Sequence, residues 1–279
     1  MANGVSVAKN KPTAPSFWRD EALPFIEARS IEDGRSVCYG KHAHSTFSIG
    51  AVTGGESTYL NGKAVERIGR GAVVVINPEQ VHACNPLDNR LWAYRMIYAD
   101  VTWLSELQRD LGMRQSGDFH AFSTTLTTLP DLYHGLNHLY AVLSDAHSDT
   151  LQRHSSAIHF FSEVQRRLSP APELKAGENR RLARAAEYIK DNCQRSLLLD
   201  EICTAASLSA SYLIRAFKHR YGMTPHAYLM NSRIEYSRAQ LRRGRAIAEV
   251  AAEAGFADQA HLQRAFRKFV AATPGQYRG

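Results

Sequence analysis

Leu213-Ile214-Arg215-Ala216-Phe217-Lys218 recurs forty-nine residues later as Leu262-Gln263-Arg264-Ala265-Phe266-Arg267. Thr224-Pro225 and Tyr228 recur at the same offset as Thr273-Pro274 and Tyr277. Leu199, Glu201 and Ile202 recur one residue closer, as Ile247, Glu249 and Val250, so the second copy has one residue added in its turn. Apolar residues at i and i+4 between polar ones have helical spacing. Two copies of one helix–turn–helix unit therefore stand in tandem.

Within each copy, a short helix carries small residues, Ala205-Ala206 or Ala251-Ala252, that let the next helix cross closely. A tight turn follows, Ser207-Leu208 or Gly255-Phe256, then a capping residue, Ser209 or Asp258. The next helix buries Leu213 and Phe217, or Leu262 and Phe266, and leaves a polar, basic opposite face. Helix-turn-helix proteins lay such a helix in the major groove. Periodicity predicts helices over Arg180–Asn192, Leu199–Ala206, Ser209–Tyr221, Pro225 to about Leu241, Ile247–Ala254, Asp258–Phe269 and Pro274–Tyr277, with Pro225 tolerated in a first turn.

The charge is concentrated in the same region. The 279-residue chain has a net charge of +7, yet residues 178–279 carry 17 Lys and Arg against 9 Asp and Glu, a net of +8. Residues 1–177 are near neutral at −1. One domain only is thus suited to an anionic partner, most simply nucleic acid. Segment 180–278 resembles the two-repeat DNA-binding domain of AraC/XylS transcription regulators. The resemblance rests on Ile247-Ala248-Glu249-Val250-Ala251, Ala254-Gly255-Phe256, Leu262, Phe266-Arg267, Phe269 and Pro274 with Tyr277-Arg278. It implies base contacts from Ser211, Ile214 and Arg215 in the first copy and from Gln259, Ala260, Gln263 and Arg264 in the second. Arg reads G O6/N7, Gln reads A N6/N7, and Ile214 or Ala260 meets a thymine methyl or reads nothing. Lys218, His219, Arg267 and Lys268 are expected at phosphates, which position without reading sequence. Arg233, Arg238, Arg242 and Arg243 are expected at phosphates, in solvent or in ion pairs.

The first half has a different texture. Phe47–Val52, Ser57–Leu60 before Asn61-Gly62, Val73–Ile76 and Trp92–Tyr98 read as short strands of an antiparallel sandwich or barrel, with Asn-Gly as a hairpin turn. Trp103, Leu104, Leu107 and Leu111, then Leu132, Leu136, Leu139, Tyr140 and Leu143, then Ile158, Phe161, Val164 and Leu168 fall at helical spacing. These stripes pack on the sheet or on a second subunit. The organisation expected is a flexible leader over 1–16, an effector-sensing domain over 17–101, a helical dimerisation or packing region over 102–168, a Pro-containing linker over 169–178, and the DNA-binding domain over 179–279. No apolar run approaches the roughly 20 residues of a membrane helix, and the N-terminus lacks a secretory apolar stretch. Cys38, Cys84, Cys193 and Cys203 form no C-x-x-C pair and suit a reducing cytoplasm.

His42-Ala43-His44 would place two imidazoles on one face of a strand, and His82 follows a later turn. Three imidazoles can hold a metal, hydrogen-bond a small ligand, or serve structure. Residues 35–100 resemble the cupin-like sensory domain common at the front of AraC-type regulators, through the glycines from Gly50 to Gly71 and the Pro78 to His82 turn. That resemblance implies an effector pocket, with His42, His44, Ser48, Tyr59, His82, Trp92, Tyr94 and Arg95 as candidates. Enzymatic cupins place Glu where Ser48 stands, so the metal set is incomplete: no cofactor is expected, with His42, His44 and His82 left as the site a metal would use. The strings around Ser48, Ile76, Val81 and Trp92 resemble a subgroup of regulators that implies an amino acid or related metabolite as effector.

The fold class expected is α+β, a cupin-like antiparallel β-barrel with flanking helices followed by an all-α tandem helix-turn-helix domain. The function expected is sequence-specific transcription regulation, as activator or repressor, controlled by a small-molecule effector. Double-stranded promoter DNA, the effector, a second copy of the chain and RNA polymerase are the expected partners. The rivals are a metal-dependent cupin enzyme and a constitutive DNA binder.

Overall fold

The computed structural model describes residues 14–88, 90–113, 119–171 and 180–279. The expected leader lies outside these except for residues 14–16, and the expected linker except for residues 169–171. The strands are β1 (Ser16–Trp18), β2 (Ile26–Ile31), β3 (Phe47–Asn61), β4 (Ala64–Gly69), β5 (Val73–Ile76), β6 (His82–Pro86), β7 (Trp92–Ala99) and β8 (Leu126–Thr127). All pair antiparallel in the order β1-β2-β7-β3-β5-β8, with β4 and β6 added to β3. The path is open, with β1 and β8 at its ends, and is cupin-like in its double layer.

β3 makes the double layer. Its first half pairs with β5 and β7, and its second half with β4 and β6. The register shifts between Val52 and Gly54, a bulge that bends the strand. Gly55 sits there at φ +66°, where a Cβ would lie 1.7 Å from the Leu91 carbonyl oxygen, so the bend needs glycine. The hairpin after β3 closes between Asn61 and Ala64. Its two-residue loop is Gly62-Lys63, one residue later than Asn61-Gly62, because Gly62 takes the positive φ of +59°.

Helices α1 (Val101–Asp110), α2 (Pro130–Ser144) and α3 (Thr150–Arg167) cover one sheet face. Leu104, Leu132, Leu136, Leu139, Leu143, Phe161 and Val164 form one core with Ile49, Ala51, Val73, Val75 and Ile97. The amphipathic stripes therefore pack on this chain's own sheet, except for Leu111 and Ile158, which are exposed. Each fully buried Leu or Phe contributes about 1.5–3 kcal/mol. The sheet's other face turns Val52, Val74, Trp92, Tyr94 and Met96 inward. After α3, Ser169-Pro170-Ala171 bridges to residues 121–123 through Ser123 N–H to Ser169 C=O at 3.0 Å and Ala171 N–H to Ala121 C=O at 2.8 Å.

The remaining helices are α4 (Arg180–Asp191), α5 (Leu199–Ala206), α6 (Ala210–Tyr221), α7 (Pro225–Arg242), α8 (Ile247–Glu253), α9 (Gln259–Val270) and α10 (Pro274–Arg278). Both helix-turn-helix turns pass through a left-handed residue, Ser207 at φ 53° and Gly255 at φ 77°. Leu213 and Phe217 anchor the first core, Leu262 and Phe266 the second. α7 runs through both, giving Leu229 to one and Ile234 and Leu241 to the other.

Candidate functional site

α6 and α9 share one design. Ser211, Ile214, Arg215, Gln259, Ala260 and Arg264 are exposed and Gln263 is half-buried, because Leu213, Phe217, Leu262 and Phe266 fix the opposite faces in the cores. The repeat aligns Ile214 with Gln263, Arg215 with Arg264 and Ser211 with Ala260. Asp258 caps α9 by accepting from His261 N–H at 2.6 Å. Ser209 occupies the corresponding place before α6, but its side chain makes no capping bond. Arg215 folds back, donating from Nε to the Ser211 carbonyl at 3.3 Å. The first two turns of both helices thus offer guanidinium, amide and aliphatic groups suited to base edges.

The far ends of these helices face the sensory domain. His219 Nε2 lies 2.9 Å from Lys63 Nζ, and Gly40 N–H donates to the Lys268 carbonyl at 2.8 Å. Arg267 lines a depression with Ser36, Val37 and Cys38. Lys218 lines a groove with Lys41, Lys63 and Arg220. The four residues assigned to phosphates therefore lie along the seam between domains. They stand three, four or seven residues after the base-reading positions, on the same helix face one or two turns further on, where α6 and α9 approach the sensory domain.

His42 pairs with His82 in an isolated bridge before β3 rather than in a regular strand. His42, His44 and His82 nevertheless cluster, with ring centroids 4.3 Å apart for His42 and His82, 4.9 Å for His44 and His82, and 6.2 Å for His42 and His44. Each Nδ1 lies 2.9 Å from a backbone carbonyl, of Gly40, Thr46 or Gln80. A carbonyl only accepts, so each Nδ1 carries the proton and each Nε2 a lone pair. Burial, reinforced by repulsion from His82, holds His42 and His44 well below the ordinary imidazole value. Burial holds His82 at about 4. Among the described residues no group of three His, Cys, Asp or Glu is arranged to hold a metal ion.

Two small cavities meet at this cluster. One, of about 30 Å³, lies inside the barrel against Ile68, Val74, Trp92, Tyr94 and Met96. The other, of about 20 Å³, lies at the domain seam against Glu27, Arg29, Asn231 and Arg238. His42, Tyr39 and Tyr98 line both. As they stand, each holds a water or two.

The seam itself is polar and specific. Asn231 on α7 accepts from Ala43 N–H at 3.2 Å and donates to Ala43 C=O at 2.8 Å, gripping the residue between His42 and His44. Glu27 on β2 takes Arg19 Nε at 2.9 Å and Arg242 Nη2 at 2.6 Å, with Arg238 at 3.8 Å and the Tyr277 hydroxyl at 3.4 Å. Burial alone would raise the Glu27 carboxyl, but Arg242, Arg238 and Arg19 outweigh it and hold the value below normal.

Known proteins match this two-part architecture. The model of the AraC-like ligand binding domain matches residues 27–161, and that of a helix-turn-helix domain matches residues 202–279. The chain belongs to the AraC-type family of transcription regulators. The HTH-type transcriptional regulator YbfI of Bacillus subtilis (strain 168) is 24% identical over 227 residues, covering 80% of this chain and 81% of that one. The regulator MtrA of Neisseria gonorrhoeae is 30% identical over 106 residues, 38% of this chain and 35% of its own. The fold is that of ToxT from Vibrio cholerae. An apo structure superposes with a TM-score of 0.56 at 15% identity over 96% of this chain and 97% of that one. A structure with bound unsaturated fatty acid gives 0.55 at 15% identity over 96% of each chain.

In this AraC-type chain the eight expected effector residues divide. His42, His82, Trp92 and Tyr94 line the barrel cavity, and His44 lines the seam cavity. Ser48 is fully buried beneath His44, with Oγ 3.3 Å from Nε2. Tyr59 lies in the core, its hydroxyl donating to the Val75 carbonyl at 3.1 Å. Arg95 points away, to Asn137 Oδ1 at 2.9 Å and the Tyr140 ring, because strand alternation sends Trp92, Tyr94 and Met96 inward and Arg95 to the helix layer. Arg233 binds the Cys193 and Arg195 carbonyls at 2.8 and 2.9 Å, so it fixes the fold and does not reach phosphate. Glu27, Arg29, Tyr39, Tyr98 and Asn231 escaped the sequence reading. The alternation Glu27-Ala28-Arg29, charged residues at i and i+2 of a strand, was the one visible signal.

Proposed function

We propose that this regulator reads promoter DNA with α6 and α9 and is switched by an effector seated at the joined cavities, the signal passing through α7. The observation that carries the reading is the two-point grip of Asn231 on Ala43. It ties the histidine segment that lines both cavities to the helix that joins both DNA-reading units. A ligand that repositions His42 or His44 would then shift α7, provided it binds one arrangement better than the other. The chain acts by binding and not as an enzyme: its relatives are regulators, and Ser48 offers neither base nor metal ligand. Its place is the cytoplasm with the DNA. A second copy and RNA polymerase are carried as partners, Leu151 and Ile158 on the outward side of α3 being the exposed apolar residues a second copy would cover. Light scattering of the full chain at working concentration tests that part, a mass of about 31 kDa counting against a dimer.

The test of the switch is operator affinity with and without effector for wild type and Asn231→Ala. The variant should bind DNA yet lose most of the effector response. An undiminished response would remove α7 as the route. A wild type that ignores every small molecule would favour a constitutive binder.

A further inference from the structure

Arg29 is 3% exposed, and its Nε and Nη2 have no hydrogen-bond partner. Its guanidinium lies over the Phe17 and Tyr39 rings and lines the seam cavity. The nearby carboxylate, Glu27, faces Arg19, Arg238 and Arg242. Buried charges are normally paired, since an uncompensated one is expensive to bury. The two unpartnered N–H groups are also the two that share one edge of the guanidinium, the fork that receives both oxygens of a carboxylate. This chain shows the same pairing elsewhere: Arg35 donates to Asp33 through Nε at 2.9 Å and Nη2 at 2.6 Å. Next to this edge, through the shared wall of Tyr39, His42 and Tyr98, lies the barrel cavity with its apolar side chains. Trp92, 2% exposed there, has an indole N–H that is also unpartnered.

We propose that the effector is a monocarboxylate whose acid group is held by the Nε–Nη2 edge of Arg29 and whose small apolar body enters the barrel cavity beside Trp92. The inference rests on the regulator reading above and names the chemical class its effector site takes. A single charge fits because one fork is open and Glu27, two residues away on the same strand face, repels a second negative charge. Glu27 Oε1 makes no hydrogen bond, but an ammonium group reaching it would enter among the guanidinium groups of Arg19, Arg29, Arg238 and Arg242, whose positive charge disfavours a zwitterionic amino acid. The cavities as they stand hold only a water or two, so an acid larger than acetate must displace Trp92 or Met96, and Trp92 emission should report it.

The test uses the full chain without DNA. Thermal unfolding and tryptophan emission are followed with acetate, butyrate and benzoate, with the corresponding amides, and with phosphate at matched ionic strength. At least one carboxylate should raise the unfolding temperature in a saturable way while its amide and phosphate do not. Arg29→Met should weaken that carboxylate at least tenfold and leave the ligand-free unfolding temperature equal or higher, because a buried unpaired charge has been removed. If Arg29→Met does not fold, Arg29→Lys decides: charge without the fork should also bind at least tenfold more weakly. Equal shifts by acids and amides, a shift by phosphate alone, no shift at all, or unaltered acid binding in these variants would overturn the proposal. Salt-dependent DNA binding of the same preparations is measured separately. Its survival shows that the regulator reading stands when the acid site fails.

Discussion

Glu27 meets three arginines that arrive from two domains, Arg19 from one side and Arg238 and Arg242 from α7. Removing its charge leaves those guanidinium groups facing each other at the seam. Glu27→Gln should cost about 2–3 kcal/mol in urea unfolding of the full chain, less than a fully enclosed pair because Arg19 and Arg242 reach solvent. The buried histidines act in the acid direction as well. Their folded-state values lie below 6.5, His82 at about 4, so the unfolded chain takes up protons that the folded chain refuses. Their contribution is complete above about pH 6.5 and is lost progressively as pH falls below it, for His82 down to about pH 4, with His82 alone accounting for about 3 kcal/mol. Glu27, held below its usual 4.5, adds a further loss only beneath that value. Stability measured against pH should therefore fall in two stages, and a His82→Gln variant should flatten the upper one. A flat profile from pH 7 to 4.5 would contradict the buried neutral cluster.

At the level of elements, the DNA-reading half was legible because its information is local. Helical spacing, the Thr-Pro starts and the repeat placed α5 at Leu199–Ala206 and the other helices within a residue or two of their ends. The two turns show how one geometry accepts two residues. Ser207 tolerates φ 53° in the first copy, whereas a Cβ at Gly255 would lie 2.6 Å from the Gln194 carbonyl oxygen. Gly255→Ala should destabilise the fold by about 1–3 kcal/mol, read from thermal unfolding, while Ser207→Gly should be neutral or mildly stabilising. On α9, Arg264→Ala should weaken operator binding by about 1–3 kcal/mol and relax preference at one base pair. The seam was not legible. Glu27 and Arg242 lie 215 residues apart, as do Ala43 and Asn231 at 188, and no periodicity links such positions. Arg95 was misassigned although the signal was present: alternation along Trp92–Tyr98 already sends it to the face opposite Trp92 and Tyr94.

For the whole molecule, the charge division acquires a structural meaning. The +8 of residues 178–279 is not one sheet of phosphate contacts. Arg233, Arg238 and Arg242 are drawn into the fold or the seam, and Lys218, His219, Arg267 and Lys268 face the sensory domain. On the proposed reading, base contacts fall to the first two turns of α6 and α9, and the sensory domain touches the helix that joins them. DNA affinity should still fall steeply with salt, as every phosphate-binding surface requires. The most direct test is to select fragments from random DNA with the full chain, then measure equilibrium binding across salt for wild type and for Arg215→Ala combined with Arg264→Ala. The account predicts that the wild type prefers the selected fragment strongly, and that the double variant loses that preference while keeping a salt-dependent, sequence-independent affinity. A double variant that binds the selected fragment as tightly and selectively as wild type would contradict it.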